Sequence, residues 1–230
     1  MKKKIVVLSG AGISAESGLA TFRDSGGLWE GYNIEDVATP NAWNKNKELV
    51  LTFYNERRKA ALEAKPNEGH KALVMLEEKY DVTIITQNVD NLHEQAGSST
   101  IIHLHGELFK SRSTLDAGLV YDIKGWELKL GDKCEKGSQL RPHIVWFGEA
   151  VPLMETASRI VENADILIVV GTSLQVYPAA GLINDAPITS IKYFVDPKEL
   201  PVKHIENFIF IREKASVGLK KICDELLINS

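Results

Sequence analysis

The sequence predicts an α/β fold: a Rossmann-like parallel sheet with helices on both faces, plus a smaller lobe formed by two insertions. Three observations carry this prediction. Short, β-branched apolar runs recur along the chain, helical patterns lie between several of them, and a glycine-rich turn directly follows the first run. The 230 residues suit one domain with a large and a small lobe.

Ile5 to Leu8 is the first strand; an uninterrupted apolar run is what a strand covered on both faces requires. Gly10-Ala11-Gly12-Ile13-Ser14-Ala15 follows and fits G-x-G-x-x-[G/A] at a strand-to-helix junction. Its small residues permit a tight turn and close backbone approach, and a helix N-terminus offers N–H groups to a pyrophosphate. A purely structural glycine turn fits the pattern as well. From Gly31 to about His70 the βα rhythm breaks: Glu48 to Leu62 reads as helix. A dinucleotide-binding dehydrogenase would instead present a second strand ending in Asp or Glu about 20 residues after the glycines. This counts against simple hydride transfer and marks a first insertion.

The rhythm resumes with a helix over Lys71 to Lys79, a strand over Val82 to Ile85, a helix over Leu92 to Ala96 and a strand over Ile101 to Leu104. Phe109 to Arg141, with Gly118, Gly125, Gly131 and Gly137 and no sustained period, reads as an irregular second insertion. Helices are then expected over Met154 to Asn163, Ala179 to Asn184 and Val217 to Leu227. Strands are expected over Ile166 to Val170, Ile191 to Val195 and Phe208 to Ile211. The large lobe thus comprises about residues 1–30, 71–108 and 142–230, and the small lobe about 31–70 and 109–141.

A net charge of −4 gives no basic footprint for a nucleic-acid partner. Lys2 to Lys4 precede an apolar stretch too short for a secretory core or a membrane span, so a cytoplasmic protein without a membrane partner, and a monomer, is expected. The only cysteines, Cys134 and Cys223, are far apart in sequence, which leaves neither a disulfide framework nor a four-thiolate zinc site.

Several polar residues invite a chemical reading. Asn88 and Asp90 at a strand-to-helix turn suit a ligand amide or a helix cap. His103 and His105 share a face if they lie on a strand, as a metal pair or as two packed core histidines. Tyr54 and Arg57, three apart on a helix, present a phenol and a guanidinium on one face; together they suit a carboxylate, although an arginine-rich helix also suits plain solvation.

Five motifs occur in order: Gly10 to Gly18 with Thr21-Phe22-Arg23-Asp24; Thr86-Gln87-Asn88-Val89-Asp90-Asn91-Leu92-His93; His103-Leu104-His105-Gly106-Glu107; Trp146-Phe147-Gly148-Glu149; and Gly171-Thr172-Ser173. In these the chain resembles the sirtuin family of NAD-dependent protein lysine deacylases, from about Lys4 to Leu227. The resemblance implies NAD as co-substrate and acyl-lysine proteins or peptides as partners. The products would be nicotinamide, 2′-O-acyl-ADP-ribose and free lysine. It further implies a nicotinamide pocket of Ala11, Ile13, Asn88 and Asp90, with Gly10 and Gly12 in the glycine turn. Gln87 would contact ribose, Phe22 would shield the reactive face and Arg23 would orient NAD. Gly171, Thr172 and Ser173 would hold phosphate or adenosine ribose, with further contacts from Val195, Ala215 and Ser216. His105 would be the general base, its imidazole titrating near working pH.

Tyr54 and Arg57, with small Ala38, resemble the succinyl- and malonyl-selective branch. By the same resemblance, a peptide would add as a strand between Val145 to Glu149, including Phe147 and Gly148, and the segment Gln175-Val176-Tyr177. The chain departs from the family twice. The zinc-binding cysteines are missing, so no zinc is expected, and Leu115, Leu119, Tyr121, Ile123 and Trp126 are expected to form an apolar cluster instead. Phe194 also stands near where relatives carry an asparagine that binds adenosine. The alternative activities are plain deacetylation, mono-ADP-ribosyl transfer, or NAD or ADP-ribose sensing without turnover.

Overall fold

The computed structural model describes residues 2–20, 28–29, 31–198 and 206–228. Its main sheet is parallel throughout. Strand β1 (Lys4–Ser9) is followed by a one-turn helix α1 (Gly12–Ala15), a short β2/β3 ribbon (Leu28–Trp29 and Tyr32–Asn33), and helices α2 (Ile34–Val37), α3 (Pro40–Lys45), α4 (Lys47–Glu63) and α5 (Glu68–Leu76). Strand β4 (Asp81–Thr86), helix α6 (Leu92–Ala96) and strand β5 (Ile101–His103) come next. Then follow β6 (Gly106–Ser113), β7 (Val120–Asp122), β8 (Leu140–Ile144), α7 (Met154–Val161), β9 (Ile166–Val170), a 3₁₀ helix (Ala179–Asp185), β10 (Ile191–Val195), β11 (Phe208–Ile211) and α8 (Ala215–Ile228).

The six-stranded sheet has the order β11-β10-β9-β1-β4-β5, so the chain reverses direction of travel at β1, between β4 and β9. Its register aligns Ile211, Val195, Val170, Ser9, Thr86 and His103 in one row. All six strands end there, and the loops that follow all open on the same edge. Side chains alternate across the sheet. Ile5, Val7, Ile84, Ile168 and Val195 face α5 and α8, whereas Val6, Leu8, Ile85, Val169 and Phe194 face α7 and the 3₁₀ helix. This is the expected Rossmann-like arrangement.

A second core joins the two insertions. Val50, Phe53, Tyr54 and Ala61, spaced along one side of α4, pack with Trp43, Leu108, Leu128, Ile144 and Trp146. Arg58, fully buried on the same helix, donates from Nε to the Trp126 carbonyl (2.7 Å) and from Nη1 to the Leu108 carbonyl (3.1 Å). The Asn55 amide pairs both ways with the Leu128 backbone, at 3.1 and 3.0 Å. Helix α4 therefore stitches residues 126–128 with polar bonds as well as apolar contact.

Three expectations need correction. The second insertion is not irregular throughout: β6, β7 and β8 form an antiparallel sheet, whose alternation is hidden by a register shift between Gly106 and Ser111 and by the buried serines Ser111 and Ser113. The expected apolar cluster is absent, since Leu115 is 69 % exposed and Trp126 lies under the Lys59 ammonium, 3.7 Å from the ring centroid. Hydrogen bonds order this segment instead: Gln139 accepts from Gly131 N–H (2.7 Å) and donates to the carbonyls of Lys129 and Leu140 (3.0 and 2.9 Å). Finally, α5 begins at Glu68 because Asn67 caps it, accepting from Gly69 N–H at 2.9 Å, and the chain beyond Leu76 turns rather than continuing as helix to Lys79.

Replacing Arg58 with Met leaves two buried carbonyls without donors, so the expected loss of stability is roughly 2–4 kcal/mol, read as a lower urea midpoint at unchanged m-value. A midpoint within error of the parent contradicts the stitching role.

Candidate active site

The loops at the carboxyl edge of the sheet and the wall of the second core enclose one cavity of about 520 Å³. That volume lies within the roughly 300–1,000 Å³ usual for small-molecule sites. Its internal order can be followed bond by bond. Gly171 N–H donates to the Val195 carbonyl (3.1 Å), and Gly12 N–H to the Gly171 carbonyl (2.8 Å). Asn88 Nδ2 donates to the Gly10 carbonyl (3.1 Å), and Gln87 Nε2 to Thr172 Oγ1 (3.1 Å). His105 Nδ1 lies 3.1 Å from the Gln87 carbonyl, and the His105 carbonyl accepts from Val145 N–H at 2.9 Å. Phe147 N–H reaches the Ala38 carbonyl (3.0 Å), and Trp146 Nε1 donates to the Tyr54 hydroxyl (3.0 Å). A continuous path thus runs from Val195 past the glycine turns and the Asn88 loop to Tyr54.

The glycines serve that geometry by letting two loops touch. A Cβ on Gly12 would sit 2.6 Å from the Gly171 Cα, and one on Gly10 would sit 2.7 Å from the Gly171 oxygen. The helix α1 behind them spans only Gly12–Ala15, too short for a strong macrodipole, so close packing rather than a helix terminus sets this turn. Gly106, at φ +86°, turns the chain after His105 where a Cβ would strike the His143 carbonyl.

Of the residues singled out in the sequence, Gly10, Ala11, Gly12, Gln87, Asn88, Asp90, His105, Gly171, Thr172, Ser173 and Ala215 line the cavity. So do Ala38, Tyr54, Arg57, Val145, Phe147, Gly148, Val176 and Tyr177. Ile13, Gln175 and Ser216 do not line it; Ser216 bonds to the Glu16 carboxylate through its N–H (2.9 Å) and its hydroxyl (2.8 Å). Ile13 lies deepest. It is wholly buried in the sheet core, behind the cavity wall. Phe22 and Arg23 lie outside the described residues. Phe194 points away, into the opposite core against Phe208 at 4.5 Å, so its departure from asparagine does not reach the cavity; Val195 and Asp196 line it instead. Asp90 has the capping role: Oδ1 accepts from Leu92 N–H (3.1 Å), while Oδ2, at the cavity wall, accepts from Ser14 Oγ (3.0 Å). Burial pushes its carboxyl above the ordinary value, against those bonds.

The two histidines differ. Strand β5 ends at His103, so His105 sits in the following turn rather than on a strand face. A carbonyl only accepts, so His105 must carry its proton on Nδ1, which leaves Nε2 as the basic lone pair. Burial lowers its pKa, opposed by the bond to Gln87. His103 Nδ1 likewise donates to the Asn88 carbonyl (3.1 Å), while its Nε2 meets Glu94 Oε1 at 2.6 Å. Both ring nitrogens then hold protons, making an imidazolium. Burial alone would lower its pKa, but the Glu94 carboxylate, the bond to the Asn88 carbonyl and the nearby Glu107 charge together raise it.

Sequence reasoning missed the supports. Thr86 Oγ1 accepts from Ser9 Oγ (2.9 Å) and from Asn88 N–H (3.0 Å), fixing the start of the Asn88 loop. Ser9 and Thr86 were visible as polar ends of apolar strands, but only the register pairs them. Arg141 and Arg112 both bind Glu149, and nothing in their spacing pointed to it. Among the described residues, no group of three or more His, Cys, Asp or Glu is placed to hold a metal ion.

A model described as the Sir2 family matches residues 10–178. Proteins named NAD-dependent protein deacylase from Bacteroides thetaiotaomicron and Helicobacter pylori are each 53 % identical to this chain, over 231 and 227 residues, covering 98 % of both chains in each case. Among solved structures, a Sir2 homolog–NAD complex is 39 % identical with a TM-score of 0.89, covering 99 % of this chain and 91 % of that one. A Sir2 mutant with a p53 peptide and NAD is 30 % identical with a TM-score of 0.80, covering 99 % and 94 %.

In a long-range ¹H–¹⁵N titration, the His105 ring is expected to titrate below 6.5 and the His103 ring above it. The reverse order would contradict the tautomer and charge assignments.

Proposed function

The chain belongs to the Sir2 family, and from that premise we propose that it is an NAD-dependent protein lysine deacylase whose preferred acyl groups end in a carboxylate, succinyl and malonyl before acetyl. The observation that carries the reading is the shared cavity, in which the glycine turns, Asn88, Asp90 and His105 share walls with Tyr54 and Arg57.

NAD suits the residues present. Gly10, Gly12 and Gly171 expose backbone where a phosphate could approach, with Thr172, Ser173 and Ala215 beside them for the adenosine part. Asn88 and Asp90, both buried, offer an amide and a carboxylate to a carboxamide. NAD would supply the ribose carbon that releases nicotinamide and accepts the acyl oxygen. His105 Nε2, basic because Nδ1 is committed to Gln87, would take the proton of a ribose hydroxyl. Ala11 and Gln87 complete that wall; Phe22 would shield the reactive face and Arg23 would orient NAD. The segments containing Val145, Phe147, Gly148, Val176 and Tyr177 would receive the substrate backbone as an added strand, largely independent of its sequence.

The acyl preference rests on the far wall. Arg57 brings a permanent charge, and Tyr54 brings a hydroxyl whose proton is retained because burial pushes its pKa up to about 12. Both are donors, and a terminal carboxylate accepts from both. Ala38 leaves room for the longer chain. The same reading includes no structural zinc: Cys134 is tied through its thiol to Ser113 Oγ at 3.3 Å, and Cys223 lies in the sheet core.

Nicotinamide release measured with NAD and matched acetyl-, malonyl- and succinyl-lysine peptides tests the activity. Release is expected with the succinyl and malonyl peptides at higher kcat/KM than with acetyl, and His105→Ala should lower it by about 10²-fold or more. No release with any peptide removes the enzyme reading. Arg57→Met is expected to cut the succinyl-to-acetyl ratio by roughly tenfold or more, the worth of a charged hydrogen bond. An unchanged ratio removes the carboxylate reading.

Dialysis against a chelator should leave the unfolding midpoint and the activity where they were. Stoichiometric zinc in the purified protein overturns the zinc-free reading.

A further inference from the structure

Tyr54 is wholly buried, yet it stands at the cavity wall. Its oxygen receives the Trp146 indole N–H at 3.0 Å. An indole nitrogen donates and cannot accept. A phenolic proton lies in the ring plane at one of two positions, and the one facing the indole N–H is closed to it. The proton must take the other position, and no described residue offers it an acceptor there. A buried donor left unsatisfied is destabilising, and a ligand acceptor at that position would relieve it.

Trp146 is itself held from several directions. Its backbone N–H donates to Glu149 Oε2 (2.8 Å), and the Arg141 guanidinium lies over its ring, 3.3 Å from the centroid. Arg141 grips Glu149 with two bonds, 2.7 and 3.0 Å, and Arg112 adds a third at 3.2 Å. Both arginines also donate to the Ile144 carbonyl, at 2.9 and 3.3 Å. Trp43 closes the remaining side at 5.8 Å between ring centroids. The indole N–H therefore has one direction in which to point, and Tyr54 is there.

We infer that Trp146 is a specificity-determining positioning residue, which by donating to Tyr54 commits the Tyr54 proton to an acceptor at the end of the acyl chain. The inference rests on the acidic-acyl reading of the same wall. It adds a reason why acetyl is disfavoured as well as why succinyl is favoured. A methyl end leaves the Tyr54 proton unpaired, and a site built around a donor rejects the analogue that lacks the acceptor. The Arg141–Glu149–Arg112 cluster, in the second insertion and the loop after β8, thereby sets a property of α4.

The test is kcat/KM on succinyl- and acetyl-lysine peptides for the parent, Trp146→Phe, Tyr54→Phe and the double variant. Trp146→Phe keeps an aromatic ring beneath Arg141 and removes the N–H together with part of the buried indole, a packing loss that falls on both substrates alike. The succinyl-to-acetyl ratio is expected to fall about tenfold in Trp146→Phe. The double variant should fall no further than Tyr54→Phe alone, because both changes break one pair. A fall in both substrates with the ratio preserved assigns Trp146 to loop structure and overturns the inference, as do effects that add in the double variant. A second readout needs no variant: on titrating the parent protein with succinyl-lysine peptide in the absence of NAD, the Trp146 indole proton resonance is expected to move, and with acetyl-lysine peptide to stay. A resonance that responds to neither, or to both alike, also overturns it. A parent enzyme without succinyl preference sinks the acidic-acyl reading itself, whereas a preference that survives Trp146→Phe sinks only the role of Trp146.

Discussion

The register of the parallel sheet is the constraint on which the rest depends. Because Ile211, Val195, Val170, Ser9, Thr86 and His103 stand in one row, every strand stops at the same height. The loops that follow are forced to share one edge, where parallel sheets bind their ligands. The reversal of strand order at β1 opens a crevice between the loop after β1 and the loops after β4 and β9. A slip of one residue in β1 would turn Val6 and Leu8 to the face that now holds Val7. It would also unpair Ser9 from Thr86, from which the Asn88 backbone hangs.

The opposite wall is made by a different physics. The two insertions have no long strand to align them, and they hold together because α4 presents apolar residues on one side and two polar anchors, Asn55 and Arg58, at its centre. Arg58 does not line the cavity; it satisfies the carbonyls of Leu108 on β6 and Trp126 in the second insertion. Arg57, one residue earlier, faces the cavity. Adjacent arginines on one helix thus do unlike work, because 100° of helical rotation separates a structural donor from a ligand-facing one.

Charge in the site is arranged by neighbours rather than by residue type. His103 and His105 donate from the same ring atom to adjacent carbonyls, of Asn88 and Gln87, and differ in what meets the other nitrogen. Glu94 makes the first a cation, whereas the second keeps a bare nitrogen toward the cavity and is shifted down by burial. A charged and a neutral imidazole, two residues apart, are what a site needs if one ring is to brace a loop and the other to accept a proton.

The sequence by itself determined the architecture and the identity of most cavity residues. The runs Ile166 to Val170, Ile191 to Val195 and Phe208 to Ile211 became strands with those bounds, since each is dominated by β-branched and aromatic residues and is too short for a helical period to compete. The glycine turn, the Asn88 loop and His105 were legible because each follows such a strand. What only the tertiary structure decided lies where pattern is weak or contacts are distant. The sheet β6-β7-β8 was hidden by a register shift and inward serines, and Ile13 and Phe194 proved to face the cores. Trp146 and Tyr54, 92 residues apart, meet only in the folded chain. Local periodicity fixes which way a side chain points along its own element; which donor finds which acceptor depends on how distant elements pack, and a linear pattern carries no record of that.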